Sequence, residues 1–117
     1  GIFHISHGLS NSLVLPHVLK FNSTNAKACE QYAFLAPFIF KDINLNTNTE
    51  TICNDFIEKL ENLSSLLNIP TKLRELDIPK EACDKMAKES MKQTRLLVNN
   101  PREVTEEDAF NIYSAAW

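Results

Sequence analysis

Glycine is almost missing from this chain: among 117 residues only Gly1 and Gly8 are glycine. A nucleotide-binding turn of the G-x-G-x-x-G kind needs glycines for its tight bend and for close approach of backbone to pyrophosphate, so this chain holds no such turn. Cysteine is sparse too. Cys29, Cys53 and Cys83 lie far apart with no CxxC pair, a spacing that gives neither a disulfide framework nor a zinc knuckle, and they read as small core residues. Apolar runs stop well short of the ~20 residues a membrane span requires, and the N-terminus lacks the basic region and cleavage pattern of a signal peptide. A soluble, cytoplasmic protein is therefore expected. Positive charge is not in excess either: 12 basic against 15 acidic residues give a net charge of −3, with no basic stripe for nucleic acid and no polybasic signal for a membrane. Ser10 and Ser12 accompany three histidines, but no G-x-S-x-G elbow is present to make either a nucleophile.

What the chain does have is one dense stretch, HGLSNSLVLPHVLKFN, from position 7 to 22. Wound as a helix, Leu9, Leu13, Val14, Leu15, Val18, Leu19 and Phe21 cover nearly the whole circumference, which predicts a buried central helix. Pro16 removes one amide donor in its middle and should bend it. His7 and Gly8 stand at its entrance, where free N–H groups and the positive end of the helix dipole gather.

The remaining sequence is helical in period. Ser23, Thr24 and Asn25 offer capping oxygens to a second helix over 23–39, with Ala28, Cys29, Tyr32, Leu35 and Ala36 inward and Pro37 ending its regular part. An asparagine-rich loop follows (42–48). A third helix over 50–67 carries Cys53, Phe56, Leu60, Leu63 and Leu67 on one seam and keeps Glu58, Lys59, Glu61 and Asn62 outside, with Asn68 as its stop. Leu73 and Leu76 suggest a short turn. A fourth helix opens near Pro79 and runs to 98 with Cys83, Met86, Ala87, Ser90, Thr94, Leu97 and Val98 inward. Thr105 with Glu106, Glu107 and Asp108 reads as the cap and first turn of a last helix whose buried stripe is Ala109, Ile112, Tyr113 and Ala116. No alternating strand, internal repeat or low-complexity tract is apparent. The fold class is all-α, a bundle of about five helices, and 44% hydrophobic residues suffice for a single core.

The stretch from His7 resembles the signature of the iron-containing (group III) alcohol dehydrogenases, roughly H-G-x-x-N-x-x-x-L-P-x-V-x-x-F-N. It matches at His7, Gly8, Asn11, Leu15, Pro16, Val18, Phe21 and Asn22. IPTKLRELDI (69–78) and NNPREVTEEDAFNIYSAAW (99–117) resemble later family segments in the same order. FHISHGLSNSLVLPHV leans toward the maleylacetate-reductase-like branch, and Ser6 stands where the family usually has Pro before His-Gly. The resemblance implies an all-helical C-terminal domain of the dehydroquinate synthase-like fold, preceded in the full-length protein by a nucleotide-binding α/β domain. Residues 1–117 are then a C-terminal helical metal-binding domain, a fragment that on its own is expected to be inactive. Family metal ligands are an Asp and His residues, one being the His of the His-Gly pair. By position that is His7 alone, with the other ligands expected upstream of Gly1. The implied cofactors are Fe²⁺ (or Zn²⁺), polarising the substrate oxygen as a Lewis acid, and NAD(P) held mainly by the preceding domain. The implied substrate is a small alcohol or carbonyl compound, and the full-length enzyme is expected to be a homo-oligomer.

The other histidines read as structural. His4 matches no family ligand and would at most contact substrate or a ligand, and His17 reads as a core histidine beyond the bend at Pro16. Asn11 and Asn22 are expected to fix backbone at helix ends, and Arg102, in the turn after Pro101, to pair with a nearby acid. Two other readings compete: a non-catalytic helical module that binds a partner protein, and a maleylacetate reductase or glycerol dehydrogenase-like oxidoreductase of the same architecture.

Overall fold

The computed structural model describes residues 7–92 and 100–117, with the backbone alone for 7–12. Among the described residues there are five α-helices, one 3₁₀ turn and no strand. We number them α1 (His7–Asn22), α2 (Ala26–Ile39), α3 (Thr49–Leu66), α4 (Ala82–Ser90) and α5 (Glu106–Ala116), with the 3₁₀ turn at Leu73–Leu76 between α3 and α4. The all-α architecture expected from the periodicity is the one observed.

Local chemistry explains the ends of these helices. Asn25 and Asn48 are extended residues whose side chains accept from the amides of Ala28 and Thr51, at 3.0 and 2.8 Å, starting α2 and α3. Thr105 and Asp108 form a reciprocal capping box at α5: the Asp108 amide donates to Thr105 Oγ1 at 3.1 Å, and the Thr105 amide donates to the Asp108 carboxylate at 3.0 Å. That amide holds the Asp108 carboxyl below its ordinary range. At the far end of α3, Asn68 adopts φ 57°, and the Ile69 amide reaches back to the Ser64 carbonyl at 3.0 Å. Asparagine tolerates this left-handed closure better than most residues, so the stop expected there is the one found.

The helices enclose two apolar clusters. One joins Leu13 of α1, Leu73, Ile78, Ala82, Cys83 and Met86 to Ala116 of α5, with Trp117 packed against it. The second joins Cys29 and Ala36 of α2, Ile43 of the loop, and Cys53, Phe56 and Ile57 of α3. Helix α1 belongs to both: Leu13 enters the first, and Leu19 packs against the second. All three cysteines are buried free thiols, as expected of core residues. Burial, then the neighbouring Cys29 thiol, pushes the Cys53 thiol up to about 12, and burial also raises Cys83. Neither is therefore a thiolate near neutral pH. Ile57 is 1% exposed whereas Leu66 is 80% exposed. Ile57→Ala should therefore cost ~2–5 kcal/mol and Leu66→Ala less than ~0.5 kcal/mol, a ranking that denaturant melts will check.

Several boundaries differ from the periodicity. Helix α2 continues past Pro37 to Ile39, because a proline with helical φ forfeits only its own amide bond, and the Phe40 amide still reaches the Ala36 carbonyl at 2.8 Å. Helix α4 begins at Ala82: Pro79 to Glu81 form a tighter turn in which the Ala82 and Cys83 amides bond to Pro79 and Lys80 at 3.0 and 3.1 Å. It ends at Ser90, and Thr94, Leu97 and Val98 lie outside the described residues. The seam of α3 is buried only through its first half, since Leu63 and Leu67 are exposed. Lys59, expected in solvent, pairs with Asp42 at 3.2 Å and lies over the Phe40 ring. Nor is α1 buried on every side: Leu13, Pro16 and Asn22 are buried, but Leu15 is 47% exposed.

Candidate functional site

Helix α1 carries the chemistry-bearing signature, and its first residue is His7. The side chains of His7, Asn11 and Ser12, and all of His4, lie outside the described residues. What the structure shows is how the helix is held. At its C-terminal end Asn22, only 2% exposed, exchanges two hydrogen bonds with Asn100: its Nδ2 donates to Asn100 Oδ1 at 2.9 Å and its Oδ1 accepts from Asn100 Nδ2 at 2.8 Å. Asn22 Nδ2 also donates to the Tyr32 hydroxyl at 3.2 Å, and Asn100 Nδ2 donates to the Arg102 carbonyl at 2.7 Å. One buried amide thus ties α1 to α2 and to the turn before α5. The expected role of Asn22 in fixing a helix end is realised through side-chain partners.

Arg102 does not pair with an acid at hydrogen-bond distance. Its Nη1 donates to the Phe21 carbonyl at 3.3 Å and to Thr24 Oγ1 at 2.8 Å, and its guanidinium lies 3.8 Å from the centre of the Phe21 ring. The last carbonyls of a helix are acceptors without partners at the negative end of its dipole, and a fixed cation answers both needs. Ser23 and Thr24 close the same end by donating to the carbonyls of Lys20 and Phe21, at 2.7 and 2.9 Å.

In the middle of α1, His17 is half-buried. On one side it borders a groove of about 230 Å³ between α1 and α5, with Phe21, Asp108 and Ile112. On the other it borders a cavity of about 30 Å³ with Pro16, Glu61, Ser64 and Thr71. Beside it Lys20 and Glu61 form an ion pair at 2.7 Å that joins α1 to α3. Burial, then the Lys20 charge, lowers the His17 pKa from 6.5, while Glu61 pulls the other way. The folded chain thus keeps this ring neutral to lower pH than the unfolded chain does. Its contribution to stability is present above pH 6.5 and is lost as the pH falls through the depressed folded value. Melts of wild type and His17→Gln at about pH 7.5 and about pH 5 should show the smaller acid-induced loss in the variant.

No three His, Cys, Asp or Glu side chains among the described residues gather closely enough to hold a metal ion. His17 is therefore not the nucleus of a second metal site among the described residues. No described helix is long and apolar enough to cross a membrane.

A helical domain built around a proline-containing His-Gly helix defines the class, and comparison with known proteins defines the family. Residues 1–117 match the Fe-containing alcohol dehydrogenase family, C-terminal. The chain belongs to the iron-containing alcohol dehydrogenase family. It is 31% identical to the NADPH-dependent butanol dehydrogenase of Clostridium saccharobutylicum over 99% of this chain and 29% of that protein. It is 28% identical to the lactaldehyde reductase of Escherichia coli (strain K12) over 98% of this chain and 29% of that protein. A crystal structure of a 1,3-propanediol oxidoreductase superposes with a TM-score of 0.87 at 27% identity, covering 98% of this chain and 29% of that one. The chain thus spans about 29% of the length of these relatives.

The sequence singled out His7, Asn22 and Arg102, but not the partners of the last two. Asn100 is 78 positions from Asn22, and Tyr32 belongs to another helix. Trp117, matched but given no role, donates from its indole to the Ile78 carbonyl at 2.8 Å with Arg74 and Lys80 beside its ring. The terminal indole thus closes the cluster under α4 and α5.

Proposed function

We propose that this chain is the C-terminal helical domain of a metal-dependent alcohol dehydrogenase, and that the intact protein interconverts a small alcohol and its aldehyde or ketone with a nicotinamide cofactor. The observation that carries this reading is the match of the whole chain to alcohol dehydrogenases and reductases together with a helix α1 that starts at His7. The relatives' names point to alcohols and aldehydes as the substrate class, from butanol and lactaldehyde to long-chain alcohols. In this reading His7 presents one imidazole to an Fe²⁺ or Zn²⁺ ion, and the remaining ligands and the nucleotide site belong to a preceding α/β domain. The metal, when bound, supplies Lewis-acid polarisation of the substrate oxygen. The rest of α1 serves as a rigid mount: Leu13 and Leu19 seat it in two clusters, and Asn22 and Arg102 fasten its end. The intact enzyme is a cytoplasmic homo-oligomer in this reading.

The intact protein, loaded with Fe²⁺ or Zn²⁺ and mixed with NADH or NADPH and a panel of short and long-chain aldehydes and ketones, should oxidise the reduced nicotinamide, and a chelator should stop it. Absence of nicotinamide oxidation with every aldehyde and ketone and both metals would overturn the proposal.

A further inference from the structure

Three cysteines allow three disulfide pairs, and the fold favours one of them. Cys29 and Cys53 are free thiols of the same apolar cluster, whereas Cys83 belongs to the other. Ala26 and Thr49, the first residues of α2 and α3, border one pocket, so the two helices start at the same end and run side by side. Cys29 and Cys53 each lie one turn inside their helix, which puts them at the same level of the contact. The residues that α2 buries in this cluster are Cys29 and Ala36, both small. Packed helix axes lie ~8–10 Å apart according to the side chains between them, and small side chains give the close end of that range. Since Cα atoms stand ~2.3 Å from the axis, facing cysteines in such a contact come within the ~7 Å that a disulfide requires.

We propose that Cys29 and Cys53 are an oxidisable pair, which hydrogen peroxide converts to a disulfide bridging α2 and α3 and which a thiol reductant restores. Cys29 is 8% exposed and borders the pocket of about 450 Å³ at the start of the two helices, while Cys53 is 0% exposed. The reaction needs a path for a molecule little larger than water rather than a free face. Cys29 therefore meets the peroxide first. Its thiolate attacks one peroxide oxygen: an S–O bond forms, the O–O bond breaks, and the hydroxide released takes up the thiol proton as water. The Cys53 sulfur then attacks the sulfur of the Cys29 sulfenic acid: the S–S bond forms, the S–O bond breaks, and the departing hydroxide leaves with the Cys53 proton as a second water. Two thiols lose two electrons in all, and one peroxide is reduced to two waters. Burial, then Cys29 itself, holds the Cys53 thiol up at about 12. The second of these causes goes once Cys29 is a neutral sulfenic acid, but burial stays, so bridging is the slow step and the sulfenic acid lives long enough to be trapped.

Peptide mapping of the folded intact protein after hydrogen peroxide, with N-ethylmaleimide added before denaturation, tests this. Trypsin places the three cysteines on separate peptides, 28–41, 42–59 and 81–85. Peptide 28–41 should be found joined to 42–59, lighter by two hydrogens than the two reduced peptides together. Both should lose their maleimide label and regain it after dithiothreitol, whereas 81–85 keeps its label throughout. Dimedone added with the peroxide should mark Cys29 and not Cys53, and should mark more of Cys29 in Cys53→Ser, where no second sulfur closes the bridge. The wild-type map decides the question even if the serine variant does not fold. Both thiols intact after peroxide and after diamide, Cys29 carried to a sulfinic acid without a link, or a link from either cysteine to Cys83 would overturn the proposal.

Discussion

His7→Ala in the intact enzyme is expected to strip most of the bound metal and to lower turnover by more than ~100-fold, while helical content stays the same. Altering a residue that only orients a metal ligand costs about 10–100-fold in affinity or activity, so removing a ligand sets that range as the minimum effect. The fold should tolerate the change, because His7 opens α1 and alanine is the residue most compatible with a helix. A control separates ligation from general damage to the helix. His17 lies ten residues further along α1, about 15 Å away at 1.5 Å per residue, beyond Pro16 and beside the Lys20–Glu61 pair. His17→Gln should keep its metal and most of its activity. Metal analysis showing full occupancy in His7→Ala with normal turnover, or equal losses in both variants, would remove His7 from the proposed site.

The sequence made legible those features that depend on neighbours along the chain. Asn25, Thr105 and Asn68 each act within four or five residues of themselves, and each does in the structure what its type and position suggest. The stripes of α2 and of the first half of α3 are similarly local, except that Leu35, expected inward, is 46% exposed. What could not be read were contacts between distant segments. Arg102 was expected to seek an acid because a guanidinium in a polar turn usually does, but the turn delivers it to the carbonyl end of α1, 81 positions away. Periodicity also reports that a face is apolar without saying what covers it. Leu15, Leu63 and Leu67 belong to apolar stripes and are nonetheless exposed in this chain. The candidate site followed the same division: the His-Gly motif pointed to His7, while no property of the spacing could have shown that Asn22 and Asn100 fasten the other end of the same helix.

That fastening gives the second large effect. Asn22→Ala should destabilise the fold by ~2–4 kcal/mol, more than a surface amide ever contributes, because it removes a buried group and leaves the polar atoms of Asn100 without their main partner. Asn22 is 2% exposed and its amide joins Asn100 twice, at 2.8 and 2.9 Å, and Tyr32 once, at 3.2 Å. The two asparagines should therefore behave as one unit. Asn100→Ala alone strands the Asn22 amide, whereas the double variant strands neither, so the double loss should fall short of the sum of the singles by ~1–2 kcal/mol. The damage should also be local first. Hydrogen exchange in Asn22→Ala should quicken at the amides of Ser23 and Asn25, which now bond to the carbonyls of Leu19 and Asn22 at 2.9 Å each. The second cluster, resting on Ile57 and Cys53, should open only with global unfolding. Strictly additive losses in the cycle, or an Asn22→Ala melt within ~0.5 kcal/mol of wild type, would show that the end of α1 is held by Arg102 and the surrounding packing rather than by this pair.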